Sequence, residues 1–230
     1  MATTTGAVTA AAAGTGSLGQ EAYERLLTEL ISLEIAPGER LSVDALARRY
    51  RISQTPIREA LARLESDGLV VKTHLRGFTA APGFSRREFA QLFDIRLLLE
   101  PYAAGQAALH RTPEQAAALQ EVAARLRAAA DRPAPPDHGV CTLLDGQFHD
   151  LVAAAAGNPL VRESLARLHA HLHLARVPRP ATDAALAAAE HEPVVTAVVT
   201  GDRHIAEAAM RSHLERARDR LAAALDRSGP

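Results

Sequence analysis

Asp145 and His149 stand four residues apart in a segment with helical spacing, so both side chains leave one face of that helix. His191 and His213 fall on two later helical segments. One carboxylate and three imidazoles meeting in a helical bundle suit a first-row divalent ion such as zinc, nickel or manganese, which takes imidazole nitrogen and carboxylate oxygen. Taken alone, Asp-x3-His is a weak signal, because such pairs are common on solvated helices. A second chemistry, a metal-bound water serving a hydrolase, is open to the same residues. Against it, a catalytic zinc usually keeps three protein ligands, an open position and a nearby base, whereas here four candidates occur and no His-Glu-x-x-His run does. His169, His171 and His173 alternate, which on a helix points them in different directions and excludes a single ligand set. His110, His138 and His204 have no partner at useful spacing, and Cys141, one turn before Asp145, reads as a packed thiol.

A second group of residues suits nucleic acid. Ser53, Gln54, Thr55 and Arg58 open a short helical segment after the tight connection Arg51-Ile52-Ser53. Arginine can pair bidentately with guanine and glutamine with adenine, and hydroxyls can meet base or phosphate. His74 and Arg76 sit in a polar turn further on, placed to reach phosphate or minor groove. From Arg48 to Arg76 there are seven basic residues against three acidic ones, about +4 inside a chain of net charge -1. Such a patch can meet phosphates, although on charge alone a solvated face is the better reading.

The elements that position these groups are legible from periodicity. Tyr23, Leu26, Leu27, Leu30 and Ile31 give an amphipathic helix over 21–33, ended by Pro37-Gly38. Ser42 caps a short helix carrying Val43, Leu46 and Ala47 inward to Tyr50. The next helix starts at Ser53 or Thr55, with Pro56 in its first turn, buries Ile57, Ala60, Leu61 and Leu64, and stops at Gly68. Leu69-Val70-Val71 and Phe78-Thr79-Ala80 flank a polar turn as a two-stranded hairpin. Helix, helix, turn, helix and hairpin make a winged helix-turn-helix, whose second motif helix enters the major groove.

Beyond a linker at Ala81-Pro82-Gly83, six helices and no strand are expected, at roughly 85–110, 113–131, 139–156, 159–175, 182–200 and 203–226, with Pro101 and Pro193 kinking two of them. The fold class is mainly α: residues 1–19 a flexible tail, 20–81 the winged helix, 82–230 an antiparallel helical bundle. Composition agrees, with 47% hydrophobic residues led by alanine and leucine and only 3% aromatic. The single cysteine excludes an internal disulfide framework and fits a reducing cytoplasm, and no apolar run is long enough to span a membrane.

The run PGERLSVDALARRYRISQTPIREALARLESDGLV resembles the DNA-binding domain of the GntR superfamily, with cap, turn, proline, arginine and terminal glycine in register. One departure stands out: the family commonly has arginine, usually reading a guanine, where this chain has Gln54. Residues 85–226 resemble the FCD ligand-binding domain of the FadR branch. DIRLLLEPYAA is similar to its first helix, LLDGQFHDLVAAAAGNPL to its metal-bearing helix, and HEPVVTAVVTGD with AAMRSHL to its last two. The resemblance implies about one divalent transition metal per chain on Asp145, His149, His191 and His213, and a six-helix domain as in the VanR-like subgroup. It also implies a homodimer on a palindromic operator and a small carboxylate effector. Arg96 is where members often place a cation facing the ligand cavity; the alternative is pairing with Glu100 one turn on. A transcriptional repressor released by a metabolite is the function so implied. A regulator answering to the metal itself and a metal-dependent hydrolase are the alternatives.

Overall fold

The computed structural model describes residues 12–74, 77–131, 138–177, 180 and 182–228. Contacts divide the chain into two compact units, Met1–Pro82 and Gly83–Pro230.

In the first unit, α1 (Ala12–Ile31) packs on α3 (Gln54–Ser66), and α2 (Val43–Tyr50) lies beside α3. Leu26, Leu30, Ile31, Ile57, Leu61 and Leu64 are buried between them, as the helical spacing requires. Ser42 Oγ accepts from the Ala45 amide, and Arg51 closes α2 in the left-handed conformation, which sets the sharp turn into α3. Gly68, with φ of 74°, ends the α3 turn where a side chain would be strained. Two elements differ from expectation. Helix α1 begins at Ala12, inside the stretch read as a flexible tail, and at Gly19, which is buried, a Cβ would stand 2.9 Å from the Glu59 carboxylate of α3. The wing holds three strands in the order β1 (Arg40–Leu41), β3 (Gly77–Ala80), β2 (Val70–Thr73), all antiparallel, with Arg40 opposite Thr79 and Leu41 opposite Phe78. Two residues are too few to show a period of two, which is why β1 left no trace in the pattern.

The described elements of the second unit are all helices: α4 (Arg86–His110), α5 (Pro113–Ala130), α6 (His138–Ala155), α7 (Pro159–Ala166), α8 (Ala170–Ala175), α9 (Thr182–Thr200) and α10 (Arg203–Ser228). Capping boxes at Ser85/Glu88 and Thr112/Gln115 start α4 and α5, and the Asn158 side chain caps α7. Both α4 and α9 run on through Pro101 and Pro193. The expected helix over 159–175 is broken instead. His169 turns left-handed at φ 44°, ψ 34°, and separates α7 from α8, so the six expected helices become seven. Without Gly or Pro the sequence carried no break signal there, but histidine is among the residues that visit this region. Helix α10 packs along α4 and α9, and α5 along α6 and α9. One core collects Leu126, Phe148, Val194, Val198, Met210 and Leu214; a second joins Phe89, Phe93, Leu174, Val177 and Leu221. Among the described residues no helix is long and apolar enough to cross a membrane.

Candidate metal centre and DNA-reading surface

Helices α6, α9 and α10 each deliver part of one cluster. Asp145 and His149 come from α6, His191 from α9 and His213 from α10, and one ligand atom from each lies within 4.8 Å of all the others. Asp145 and His149, placed together by spacing, and His191 and His213, added by the family resemblance, therefore share one place. Their surroundings fix how they present themselves. His149 Nδ1 stands 2.6 Å from Glu100 Oε2, and His213 Nδ1 stands 3.2 Å from Glu190 Oε2. A carboxylate only accepts, so in the His213 contact Nδ1 carries the proton and Nε2 is left with a free lone pair, the arrangement that holds metal-ligating imidazoles, while His149 Nε2 faces Arg96 Nη2. Glu190 is itself held by Arg220, which also bonds Asp183.

His191 is the most telling member. It is fully buried, its ring stacks on Phe148 at 3.8 Å and 7°, and neither ring nitrogen makes a hydrogen bond; Asp145 Oδ1 comes no nearer than 3.4 Å to Nε2. Burial drives the His191 imidazole well below its ordinary pKa, with the neighbouring His213 adding to the effect, so it is neutral. His213 is lowered by burial in the same way. A buried polar group left unbonded costs about 1–3 kcal/mol. A neutral imidazole with an idle nitrogen, beside two others and a carboxylate, is the donor set a divalent transition metal takes. The residues fit such an ion.

Arg96 both pairs and lines. Its Nε donates to Glu100 Oε1 at 2.5 Å, and its Nη2 lies 3.4 Å from His149 Nε2. Burial alone would raise the Glu100 carboxyl, but Arg96 and His149 beside it hold it far below the usual carboxylate range. Arg96, Glu100 and His149 also line a partly open cavity of about 290 Å³, together with Asp150, Arg162, Leu165 and His171. His171 was set aside in the sequence because its neighbours diverge from it. The structure places its ring against Gly146, where a Cβ would come within 2.6 Å of Cγ and Cδ2. The signal for this was the glycine itself, since an isolated glycine inside a helical pattern has a packing reason. Glu100 and Glu190, also missed as supports of the cluster, stand one turn after Arg96 and next to His191. His110 and His204 are exposed, and Cys141 is buried in the core.

In the first unit Ser53, Gln54, Thr55 and Arg58 are all exposed at the start of α3, and His74 is exposed in the turn after β2. Arg76 lies outside the described residues. Of the basic stretch, Arg49 is engaged with Glu29 and Tyr50, and Arg63 bonds Gln20 and covers the Tyr23 ring, so these two serve the fold. Arg48 and Arg51 instead line an open groove with Asp44, Ser53 and Gln54.

A winged helix-turn-helix joined to a helical bundle with a polar, cavity-bordered centre is the architecture of a transcriptional regulator with a sensing domain. The comparisons agree. Residues 18–79 match the gntR family of bacterial regulatory proteins and residues 91–216 match the FCD domain, and the chain belongs to this family. It is 31% identical over 210 residues to the HTH-type transcriptional regulator LutR of Bacillus subtilis, covering 82% of this chain and 94% of LutR. It is 26% identical over 203 residues to the HTH-type transcriptional repressor RspR of Escherichia coli, covering 87% of each. Among solved structures, E. coli McbR/YncC superposes with a TM-score of 0.72 at 20% identity, over 92% of this chain and 99% of that one. A GntR regulator from Rhodococcus sp. RHA1 gives 0.69 at 20%, over 90% and 98%. The chain is thus a GntR-family transcriptional regulator with an FCD domain and not an enzyme.

Proposed function

We propose that the protein is a homodimeric repressor whose hold on a palindromic operator is set by a small carboxylate bound beside one divalent metal in the FCD domain. The observation that carries this is fully buried His191, with both ring nitrogens unbonded, inside a four-donor cluster whose His149 lines a cavity. The bound ion would supply positive charge and coordination positions for an anion. Four protein donors complete a tetrahedral shell, so zinc would have to expand its coordination to take an acid, whereas a six-coordinate nickel or manganese would keep two positions free. Arg96 offers the acid a charged, planar partner, and the Arg96/Glu100 pair keeps that guanidinium in place when the cavity is empty. The cavity lies at the small end of ligand sites, which favours a compact acid.

On the DNA side, Ser53, Gln54, Thr55 and Arg58 form the surface that enters the major groove, with His74 and Arg76 at the wing. For the dimer, α4 offers an unpartnered stripe: Ile95, Leu98, Tyr102 and Leu109 are exposed at steps of three, four and seven residues, Leu98 at 70%. A two-fold interface needs one self-complementary patch, and a narrow apolar stripe along a long helix is of that kind. Coupling is supported by α8, which carries His171 in the cavity wall, while the His173 ring lies 5.0 Å from that of Phe84, tilted at 43°, next to the Ala81-Pro82-Gly83 linker.

The test is elemental analysis of purified protein, followed by operator binding with and without a panel of small mono- and dicarboxylic acids, for metal-loaded and chelator-stripped protein. About one metal per chain and an acid-dependent loss of operator affinity that needs both metal and Arg96 are expected. A response to metal alone would make the protein a metal sensor; no metal uptake would overturn the site.

A further inference from the structure

Gln54 stands where the resemblance to the family leads one to expect a base-reading arginine, yet both ends of its amide are already bonded to neighbouring side chains. Its Nε2 donates to Asp44 Oδ1 at 2.6 Å, and its Oε1 accepts from Arg58 Nη2 at 3.3 Å. The orientation of the amide is determined by chemistry, since a carboxylate can only accept and a guanidinium can only donate. Each end keeps one further donor or lone pair, but the two internal bonds hold the amide in the direction set by Asp44 and Arg58, and an adenine would need its oxygen at N6 and its amide nitrogen at N7 together. Arg58 is differently placed. It spends one of five N–H donors on Gln54 and keeps enough for a two-point contact with guanine O6 and N7. Asp44 lies in the first turn of α2, where a negative charge is favoured by the helix dipole, and Ser42 caps that same turn. Asp44 and Gln54 line one groove, flanked by Arg48 and Arg51.

We infer that Gln54 is a positioning residue: it links Asp44 to Arg58 and aims Arg58 at a guanine in the operator, without reading a base itself. This rests on the proposal that α3 enters the major groove. Asp44 sets a negative charge beside the phosphates and so lowers affinity for any DNA, while through Gln54 it sharpens the choice of base. Specificity and general affinity therefore pull in opposite directions at one residue.

The experiment is selection of bound duplexes from a random library by the full-length protein, scoring preference at each base pair, together with affinity for an unselected duplex. Wild type, Arg58→Ala, Gln54→Ala, Asp44→Ala and Asp44→Asn are compared; all these positions are exposed, so folding is not at stake. Arg58→Ala should lower the preference for one guanine by roughly 5- to 150-fold. Gln54→Ala and Asp44→Ala should weaken preference at that same base pair and leave the others unchanged. Both Asp44 variants should bind the unselected duplex more tightly, and Asp44→Asn, which keeps an acceptor for Gln54, should retain the guanine preference. If Gln54→Ala instead erases an adenine at a different base pair, or changes nothing, the inference is overturned. If wild type enriches no sequence at all, the groove-reading proposal falls, and this one with it.

Discussion

Gly146→Ala tests the packing beside the cluster. A Cβ there would lie 2.6 Å from Cγ and Cδ2 of His171 and 3.0 Å from its Nδ1. Those atoms belong to the root of the ring, and α8 is anchored directly after it by buried Leu172 and Leu174, so His171 cannot simply swing aside. Overpacking of this sort costs about 1–3 kcal/mol, while exchanging glycine for alanine inside a helix returns about 1 kcal/mol. The net is a loss of about 1 kcal/mol, or roughly 2–4 °C in Tm for a chain of this size. Gly105→Ala is the control. Its Cβ would meet Glu207 from Cγ to the carboxylate, but that side chain is flexible and partly exposed, so the whole of it can turn outward and the propensity gain of about 1 kcal/mol survives. Calorimetry of both variants, and of Gly146→Ala in a His171→Ala background, decides the matter. In that background the clash is gone and alanine should stabilise. If Gly146→Ala stabilises the wild type, or destabilises both backgrounds equally, His171 is not seated on Gly146 and the cavity wall described above is wrong.

Three further outcomes follow from named contacts. Glu190→Gln removes the charge that orients His213 and should weaken metal binding about 10- to 100-fold in a competitive chelator titration; unchanged affinity would show that the Glu190 contact does not tune the site. Leu98→Glu, at a 70% exposed position, should leave the circular dichroism spectrum intact and shift sedimentation from dimer to monomer; a persistent dimer would exclude the α4 stripe as the interface. Burial, with Arg176 nearby, lowers the His173 imidazole from 6.5 to about 4, so the folded state favours the neutral ring. Its contribution is whole above pH 6.5 and is lost as pH falls from 6.5 toward 4. Tm measured across that window should decline less steeply in His173→Phe, and parallel curves would remove His173 as a cause.

Much of this protein is written locally. Leu26, Leu30 and Ile31 on α1, and Ile57, Ala60, Leu61 and Leu64 on α3, repeat at helical steps because one face of each helix must be buried, and that rule operates within a few residues. Ser42, Thr112 and Gly68 mark helix ends for the same local reason, and Asp145 with His149 could be placed on one face of α6 from spacing alone. That His191 and His213 join them came from resemblance, since no local rule links residues more than forty positions apart. Other features depend on how helices pack. Whether Arg96 faced a cavity or Glu100 was open in the sequence; with α6 and α7 packed against α4 it does both. The two-residue strand β1 exists only because β3 is there to pair with it. The break at His169, the seat of His171 on Gly146, and the capture of Gln54 by Asp44 and Arg58 all join residues from different turns or different helices. Periodicity says which side of a helix is inward. Which side chain from another helix occupies that space is decided by the close packing of the whole unit, and the polar contacts of this centre arise there.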